Sequence, residues 1–320
     1  MSITIILPVY GHSPWLRGAL QSIGRQNTLD WNLLIADDGG DAEAREEIMG
    51  WIKQQDACQV KWIRREKNLG LFGNLNDAIE RSYTNWLLLL CSDDLLLPDA
   101  VRSITEITSR KEDVGLILSS FLSINADGSM RENSSVLHHD EISLASRKIE
   151  SKHATPLLIK YGSINGNITG MVFSKQLFND AGPFREDWRH AADWEWLIRA
   201  TEKGPILLNR KPIAVVRTHE EQLSVKNRKS GHELVEVSEV VKILLNHPDL
   251  ASMKSKKIYA SHIMQFQLWN LIKTNTLHLS ERLDGFQRIH ESSGIVETFL
   301  AFVMWFPVRI KRRWMKSYGK

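Results

Sequence analysis

Short apolar runs alternate with amphipathic segments along the first part of the chain. The run ITIILPV at residues 3–9 is rich in β-branched side chains and is typical of a strand buried on both faces. Residues 15–26 then predict a helix. The alternation continues with predicted strands at 31–38, 58–65, 85–94 and 114–124 and predicted helices at 41–55, within 68–82 and at 98–110. This order predicts an α/β fold with a mostly parallel sheet flanked by helices.

The pattern is different in the second half of the chain. Residues 130–165 are polar and show no clear periodicity, whereas the stretch 166–219 predicts, in order, a strand, two helices and two further strands. From about residue 230 apolar side chains recur three and four positions apart, which predicts helices. We therefore expect an α/β domain over residues 1–230 and a helical C-terminal region over residues 231–320.

Polar residues stand at the ends of three of the predicted strands. Tyr10 follows the first strand, Asp37 and Asp38 end the second, and Asp93 and Asp94 end the fourth. The carboxyl ends of parallel strands meet at one edge of a sheet, and ligands of such folds bind there. The sequence therefore predicts one binding site built from these three strand ends.

Asp93 and Asp94 are the most informative of these residues, because they follow a run of leucines. Burying two adjacent carboxylates costs several kcal/mol each unless a partner compensates their charge. Mg²⁺ or Mn²⁺ would do so, since each is held by one or two carboxylates together with substrate phosphates. The alternative is a solvated strand end. With the other strand ends counted, the pattern favours a metal site that binds a diphosphate.

Five other residues have both a functional and a structural explanation. A carboxylate at Asp37 or Asp38 can accept hydrogen bonds from a base or a ribose, but an Asp-Gly turn explains the same residues. Asp193 and Glu195 lie near the start of a predicted helix, where capping is the alternative to catalysis. His219 follows a predicted strand and is a candidate metal ligand, although a lone histidine is usually structural.

Composition and charge narrow the function further. The chain has 320 residues, 42% hydrophobic and 25% charged, with a net charge of +3, so a general nucleic-acid binder is not favoured. The two cysteines do not indicate a disulfide framework. The N-terminus lacks the pattern of a signal peptide, and no apolar stretch reaches the ~18 residues needed to span a bilayer. The expected location is the cytoplasm.

A basic segment closes the sequence. Residues 309–320 contain six Lys or Arg and no acid, and an apolar stretch at 299–308 precedes them. Such a segment is expected to make peripheral contact with the inner face of the plasma membrane. Its basic groups would face anionic lipid, with Trp305, Phe306 and Trp314 inserted. The alternative is a packed terminal helix with a solvated tail.

The order of the motifs resembles that of the family-2 inverting glycosyltransferases with the GT-A fold. The set is ILPVYG, LLIADDGG, NLGLFGN, LLLLCSDD, NGNITGMVFSKQLFNDAGPF, ADWEWLIRA and VVRTHEEQLS. The resemblance covers roughly residues 1–225. Each motif alone is weak, but the ordered set is quite specific.

The resemblance implies a nucleotide-sugar site at the strand ends. It places a nucleobase near Pro8 and Tyr10, with Asp38 in contact with it, and it adds Asn74 of the third motif to the binding residues. Relatives often carry a basic residue just before that asparagine, where this chain has Gly73.

The resemblance also implies roles for the acidic motif and the histidine. Asp93 is expected to contact the ribose or the sugar, and Asp94 to coordinate the metal, which is Mn²⁺ or Mg²⁺. His219 matches a histidine that often completes the metal site.

The catalytic base of the family corresponds to Asp193, which precedes an aromatic-rich helix. Relatives usually carry an acid just before the base, and Ala192 stands there in this chain. The segment 165–171 lies where the acceptor and the donor sugar usually meet. The residues expected in the acceptor region are Asn167, Thr169, Gly170, Trp194 and Glu195.

The reaction that the resemblance implies is sugar transfer from a nucleoside-diphosphate sugar, with a UDP-sugar favoured. The acceptor is expected to be a hydroxyl of a glycan or of a lipid-linked molecule in cell-surface polysaccharide synthesis. Asp193 would take the proton from this hydroxyl as it attacks the anomeric carbon, so one displacement inverts that centre.

Three alternatives have different sequence requirements. A nucleotidyltransferase that makes sugar nucleotides should carry a loop rich in Gly, Lys and Arg after the first strand, and PVYGHSPW is not one. A dehydrogenase needs G-x-G-x-x-G at that place, and the motif is absent there. A non-catalytic sugar-nucleotide-binding module would be marked by a lost base, whereas Asp193 is present.

Overall fold

The computed structural model describes residues 2–55, 59–110, 113–131, 139–274 and 277–318, with side chains described as far as residue 307. Within these residues the strands belong to a single sheet. They are β1 (Ile3–Val9), β2 (Trp31–Asp37), β3 (Val60–Arg64), β4 (Trp86–Leu89), β5 (Leu95–Leu96), β6 (Leu116–Asn125), β7 (Arg147–Ile149), β8 (Met171–Ser174) and β9 (Ile206–Thr218).

Helices separate most of the strands and then form the whole of the C-terminal region. They are α1 (Leu16–Gly24), α2 (Ala42–Ile52), α3 (Gly70–Glu80), α4 (Ala100–Thr108), α5 (Ser151–Tyr161), α6 (Lys175–Ala181), α7 (Ala192–Lys203), α8 (Leu223–Lys229), α9 (His232–Asn246), α10 (Lys256–Lys273), α11 (Leu279–Ser293) and α12 (Ile295–Tyr318). A short 3₁₀ helix, Pro248–Leu250, follows α9.

The strand order in the sheet is β3-β2-β1-β4-β8-β6-β9-β5, with β7 paired to β9. The first four strands of this order are parallel. β8 is antiparallel to both β4 and β6, so β4 and β6 point the same way, and β9 is parallel to β6. Among the described strands, only the shorter β5, β7 and β8 run in the opposite direction. The prediction of a mostly parallel sheet flanked by helices is confirmed.

Helices cover both faces of the sheet, which explains why β1 is apolar at nearly every position. Successive side chains of a strand point to opposite faces. Ile3, Ile5 and Leu7 pack in one apolar cluster with residues of α1, α2 and α4. Ile6 packs in a second cluster, on the other face, with residues of α3 and α5.

The prediction of two strands over residues 206–219 is wrong, because β9 is one continuous strand. Asn209 lies opposite Ser119 and Ala214 lies opposite Phe121, so four residues of β9 face a single residue of β6. This irregularity includes Pro212, which has no N–H to donate to the ladder. A bulge within one strand therefore produced the break that the sequence pattern suggested.

The C-terminal helices pack on the helical layer of the α/β region. Val237, Val240 and Leu244 of α9 belong to the same apolar cluster as Trp196 and Leu197 of α7. The apolar core is thus continuous across residue 230, and a domain boundary there stays a prediction. Within the described part of the chain, no helix has the combination of length and apolar character that a membrane span requires.

Candidate active site

The carboxyl ends of β1, β2, β4 and β9 lie along one edge of the sheet, because these strands point the same way. Tyr10 follows β1 and Asp38 follows β2. Asp93 and Asp94 lie beyond the end of β4, and His219 follows β9. The parallel direction of the strands therefore gathers residues that are more than 200 positions apart in sequence at one edge.

Asp94 is buried and held by two neighbouring segments. Its Oδ2 accepts a hydrogen bond from Thr169 Oγ1 at 2.5 Å, and its Oδ1 accepts one from the backbone N–H of Arg217 at 2.7 Å. Burial, followed by the charge of Asp93, raises the pKa of Asp94 to about 8. A positive charge placed beside this carboxyl would therefore stabilise its ionised form.

Asp93 is half-buried and contacts the histidine. His219 Nε2 lies 2.8 Å from Asp93 Oδ2, while His219 Nδ1 makes no hydrogen bond to any described residue. The ring centroids of His219 and Trp15 are 4.1 Å apart, so the imidazole is supported on one side. The structure thus brings His219 to the acidic pair, with its hydrogen bond to Asp93 rather than to Asp94.

The donor atoms of this cluster fit a hard divalent cation. The ligand atoms of Cys91, Asp93 and Asp94 lie within 4.8 Å of one another. Burial, followed by the charges of the two aspartates, raises the pKa of the Cys91 thiol, so this free thiol stays protonated and is a poor ligand. Carboxylate oxygens and the imidazole of His219 remain, and these suit Mn²⁺ or Mg²⁺. The second cysteine, Cys58, lies outside the described residues.

Asp193 lies in the first turn of α7 and is buried. Burial raises its pKa to about 6, although the backbone N–H groups of Trp194 and of Asp193 itself lower it in part. Its carboxylate is then ionised at neutral pH and still able to accept a proton, as a general base must be. After burial and the two aspartates, the charge of Asp193 also contributes to the raised pKa of Cys91. Asp193 therefore lies within electrostatic range of the acidic cluster.

The residues expected in the acceptor region lie in different surroundings. Thr169 is fully buried at the acidic cluster, where it donates to Asp94 and accepts from the backbone N–H of Cys91 at 3.0 Å. Gly170 has a φ of +83°, which favours glycine, and its N–H donates to Leu89 O at the end of β4. The loop that contains Thr169 and Gly170 is thus fixed directly to the acidic strand end.

Two other acceptor-region residues have buried polar atoms without a partner. Asn167 Oδ1 and Trp194 Nε1 make no hydrogen bond to any described residue. A buried polar atom without a partner is costly, and a hydroxyl-rich ligand would remove that cost. Glu195 differs, because both of its carboxylate oxygens pair with Arg199 one helical turn away, at 2.8 Å. The structure therefore gives Glu195 an ion pair within α7.

The nucleotide-binding candidates line the ends of β1 and β2. Pro8 is paired with Ala36 within the sheet, and Tyr10 is exposed just beyond β1. Asp38 is buried, and its Oδ1 accepts a hydrogen bond from the backbone N–H of Leu69 at 2.8 Å. Burial raises the pKa of Asp38, while that hydrogen bond lowers it in part. Tyr10 is the candidate at this edge whose side chain is openly accessible.

Asn74 and Asp37 make hydrogen bonds that shape the same edge. Asn74 Nδ2 donates to Ala36 O at 2.8 Å and ties α3 to β2. Asp37 Oδ1 accepts from the backbone N–H of Gly40 at 2.5 Å, which is the Asp-Gly turn that the sequence left open as an explanation. The structure thus gives Asp37 a turn-forming role. Asp38 instead contacts the loop before α3, through the N–H of Leu69.

Arg217 is a residue of this site that the sequence analysis missed. Its backbone N–H donates to Asp94, and its side-chain Nε donates to Asp93 O at 3.1 Å. Its guanidinium carbon also lies 5.4 Å from the centre of the Trp15 ring, the ring that supports His219. Arg217 stands two positions before His219 at the end of β9. Its closeness in sequence to this candidate metal ligand is the signal by which it could have been found.

Comparison with family models gives a match over the first part of the chain. The model described as Glycosyl transferase family 2 matches residues 4–179, which is just over half of the chain. The match includes the ends of β1, β2 and β4 and the loop that contains Thr169.

Curated relatives match the chain in part. It is 23% identical over 219 residues to the PGL/p-HBAD biosynthesis glycosyltransferase of Mycobacterium bovis, covering 68% of this chain and 76% of the relative. It is 31% identical over 99 residues to the teichoic acid poly(glycerol phosphate) polymerase of Staphylococcus epidermidis, covering 31% of this chain and 14% of the polymerase. An uncharacterized protein of Sinorhizobium fredii is 27% identical over 203 residues, and the chain spans only 20% of it.

Solved structures share the fold. The chain is similar to residues 1–349 of S. aureus TarS in complex with UDP-GlcNAc, with a TM-score of 0.68 and 12% identity. That match covers 92% of this chain and 82% of the TarS chain. The mannosyltransferase PcManGT from Pyrobaculum calidifontis, in complex with GDP-Man and Mn²⁺, gives a TM-score of 0.58 at 12% identity, covering 96% and 82%. The GT-A fold expected from the sequence is confirmed.

Proposed function

The chain belongs to glycosyl transferase family 2, and from this premise we propose that it transfers a sugar from a nucleoside-diphosphate sugar to a hydroxyl group. One observation carries the proposal. At the acidic strand end, Asp94 is buried and held by Thr169 and by the backbone of Arg217, and His219 contacts the neighbouring Asp93. This arrangement of carboxylates and an imidazole suits a cation that binds the diphosphate of a nucleotide sugar.

Asp193 acts as the general base in this proposal. Its burial keeps the pKa closer to neutrality than that of an ordinary aspartate, so the carboxylate is both available and basic enough to take a proton. The acceptor hydroxyl loses that proton as it attacks the anomeric carbon. Since the attack is a single displacement, the configuration of the anomeric carbon inverts.

Asp94 and His219 would hold the divalent cation, Mn²⁺ or Mg²⁺, in this proposal. When bound, the cation supplies Lewis-acid stabilisation of the charge on the departing diphosphate. Thr169 and the backbone of Arg217 orient the Asp94 carboxylate through hydrogen bonds at 2.5 and 2.7 Å. The raised pKa of Asp94 shows how costly the ionised cluster is without a compensating charge.

The donor that we propose is a UDP-sugar. The structurally similar TarS was solved with UDP-GlcNAc and with UDP, and this supports the choice, although PcManGT was solved with GDP-Man. In the proposed complex the uracil of the donor lies against Pro8, Tyr10 and Asp38. Asn74 stabilises the edge from α3, and Asp93 contacts the ribose or the sugar.

The acceptor that we propose is a hydroxyl of a glycan or of a lipid-linked molecule in cell-surface polysaccharide synthesis. The names of two relatives, a teichoic acid polymerase and a PGL/p-HBAD biosynthesis glycosyltransferase, support this context. The unpaired polar atoms of Asn167 and Trp194 support this, because hydrogen bonds from an acceptor would satisfy them. We further propose that the reaction takes place at the cytoplasmic side of the membrane.

A donor screen tests the proposed activity. Purified full-length protein is incubated with Mn²⁺ and, separately, with each of a panel of UDP-, GDP- and dTDP-sugars, and release of the nucleoside diphosphate is measured. We expect hydrolysis or transfer with at least one UDP-sugar, and its loss when EDTA removes the cation. Binding of a sugar nucleotide without any release of nucleoside diphosphate would instead indicate a non-catalytic binding module.

Membrane contact is the remaining part of the proposal. Val296, Leu300 and Met304 are exposed and recur every four residues on α12, so they form an apolar stripe on this helix. The basic residues of segment 309–320 follow the stripe in sequence, and their side chains lie outside the described residues. An apolar stripe beside a basic segment is typical of a helix that lies in the interface of an anionic membrane.

Vesicle flotation measures this contact. Deletion of residues 309–320 should weaken binding to vesicles that contain phosphatidylglycerol. The effect should be stronger at low salt, because high salt screens the attraction between the basic residues and the anionic lipid. Leu300→Ser should also weaken binding, whereas Leu29→Ser, at an exposed leucine before β2, is the matched control. Full-length protein that fails to bind these vesicles at low salt would contradict membrane contact.

A further inference from the structure

Glu236 of α9 is a buried carboxylate that makes three backbone hydrogen bonds. Its Oε1 accepts from the N–H of Arg189 at 2.7 Å. Its Oε2 accepts from the N–H of His190 at 2.7 Å and from the N–H of Ala191 at 2.8 Å. Three successive N–H groups that converge on one point form an anion-binding nest, and here a side chain of the C-terminal region occupies it.

The nest ends two positions before Asp193, the residue that we assign as the base. Ala191 is the N-cap of α7, and it has no side chain that could cap the helix. Asp193 follows two positions later, in the first turn of the same helix. The conformation of the chain that leads to Asp193 is thus fixed by a side chain from another helix and not by a local cap.

A second contact holds the same loop from the same side. Asn227, a buried residue of α8, donates from Nδ2 to Arg189 O at 2.6 Å. Arg189 is therefore fixed at its N–H by Glu236 and at its carbonyl by Asn227. Both anchoring residues lie outside the 4–179 stretch that matches the family model.

We propose that Glu236 is a positioning residue for sugar transfer, which holds the loop 189–191 and thereby sets the place of the Asp193 carboxylate. This inference rests on the proposed function, since it concerns the base of that reaction. It gives the C-terminal region a role in the chemistry of the α/β region. A displacement of about 1 Å at a reacting group can cost ~10²-fold in rate, so an anchor of this kind has a measurable effect.

The charge of Glu236 also acts on Asp193. Burial is the main cause of the raised pKa of Asp193, and the charge of Glu236 is a smaller cause in the same direction. His190 also faces Glu236, whose charge acts on its imidazole, while Glu195 is paired with Arg199 and the charge of Asp193 acts on the Cys91 thiol. Removing the charge of Glu236 should therefore lower the pKa of Asp193.

The test uses Glu236→Gln in the full chain and two measurements. The first is the titration midpoint of the Asp193 carboxyl carbon in protein labelled with ¹³C at aspartate, with the signal assigned from Asp193→Asn. The second is turnover with the UDP-sugar found in the donor screen. We expect the midpoint to shift to lower pH and kcat per folded molecule to fall at least ~10-fold, with the donor KM nearly unchanged.

Two further variants make the result specific. Glu239→Gln removes a carboxylate one turn later on α9, which pairs with Lys242 and Arg288 in the C-terminal region. It should leave the Asp193 midpoint in place. Glu236→Asp keeps the charge but shortens the reach by one methylene, so we expect a wild-type midpoint with a lower kcat. If Glu236→Gln does not fold, the kcat of Glu236→Asp decides the question.

The outcomes separate this inference from the proposed function. A Glu236→Gln protein with the wild-type Asp193 midpoint and wild-type kcat per folded molecule would overturn the positioning role. If Glu236→Gln does not fold, wild-type kcat in Glu236→Asp would overturn it equally. A wild-type protein that releases nucleoside diphosphate from no sugar nucleotide would overturn the proposed function, and the ¹³C titration would still report whether Glu236 acts on Asp193.

Discussion

Asp193→Asn is expected to lower kcat for sugar transfer by ~10²-fold or more, while the KM for the donor changes little. Asparagine keeps the shape of the side chain but cannot accept a proton. The donor and the cation are assigned to other residues, so only an interaction made in the transition state is lost. Steady-state kinetics with the UDP-sugar from the donor screen measures this split between kcat and KM.

The pH dependence of activity and of stability provides the control for this variant. Wild-type activity should rise as pH increases through about 6, where Asp193 loses its proton, and this limb should be absent from any residual activity of Asp193→Asn. Because the folded-state pKa lies above the ordinary value, the folded protein binds this proton more tightly than the unfolded chain does. The stability that the proton contributes is complete below the unfolded-state pKa and is lost as pH rises through about 6.

The pH dependence of stability distinguishes a catalytic base from a helix cap. Asp193→Asn should raise the melting temperature above about pH 6, because it removes a buried charge, and should change it little at low pH. A capping role predicts a loss of about 1 kcal/mol of stability with turnover per folded molecule unchanged. Full turnover in Asp193→Asn would exclude the catalytic assignment, and Glu195 would be the next candidate.

Asp94→Ala should abolish the activity that depends on a divalent cation. Asp94 is the buried acid of the cluster, fixed by Thr169 and by the backbone of Arg217, and a hard cation would lose a carboxylate ligand in this variant. Binding of Mn²⁺ to the protein without donor, followed by calorimetry or by electron paramagnetic resonance, should weaken in parallel. This second measurement does not depend on knowing the acceptor.

A matched variant controls for general effects of removing an aspartate. Asp99 is a half-buried acid before α4 that pairs with Asn27 and Arg102. Asp99→Ala should leave both Mn²⁺ binding and turnover close to those of the wild type. Near wild-type turnover of Asp94→Ala with donor and Mn²⁺ would show that the metal assignment is incorrect.

The sheet and the acidic edge were accessible from the sequence because their signals are local. Each of the parallel strands β1, β2 and β4 is a short apolar run, and a strand buried on both faces leaves that pattern in the sequence itself. The acidic residues follow these runs directly. Once the strands are taken as parallel, Asp38, Asp93 and Asp94 must lie at one edge.

Other elements lacked a local signal. β7 and α5 fall in the polar stretch 130–165, where β7 has only three residues and α5 contains Pro156. β7 is defined by its pairing with β9, a contact between residues about 60 positions apart. Tertiary pairing, which no periodicity records, therefore decides its structure.

The hydrogen-bond partners of the site residues could not be predicted from the sequence for the same reason. The contacts of Arg217 with Asp94 and of Glu236 with the loop 189–191 join segments that lie 123 and 45 to 47 positions apart. A lone glutamate on an amphipathic helix is indistinguishable in sequence from any solvated acid. Only the packing of α9 against the start of α7 buries Glu236 and gives it a role.

The anomeric configuration of the sugar that is first released or transferred tests the central claim most directly. Time-resolved ¹H NMR of the wild-type reaction, with UDP-N-acetylglucosamine and the other α-linked UDP-sugars of the donor screen, detects that configuration before mutarotation. A single displacement assisted by Asp193 predicts the β-anomer as the first product, and Asp193→Asn should slow its appearance. The α-anomer as the first product would contradict an inverting mechanism, and with it the role assigned to Asp193.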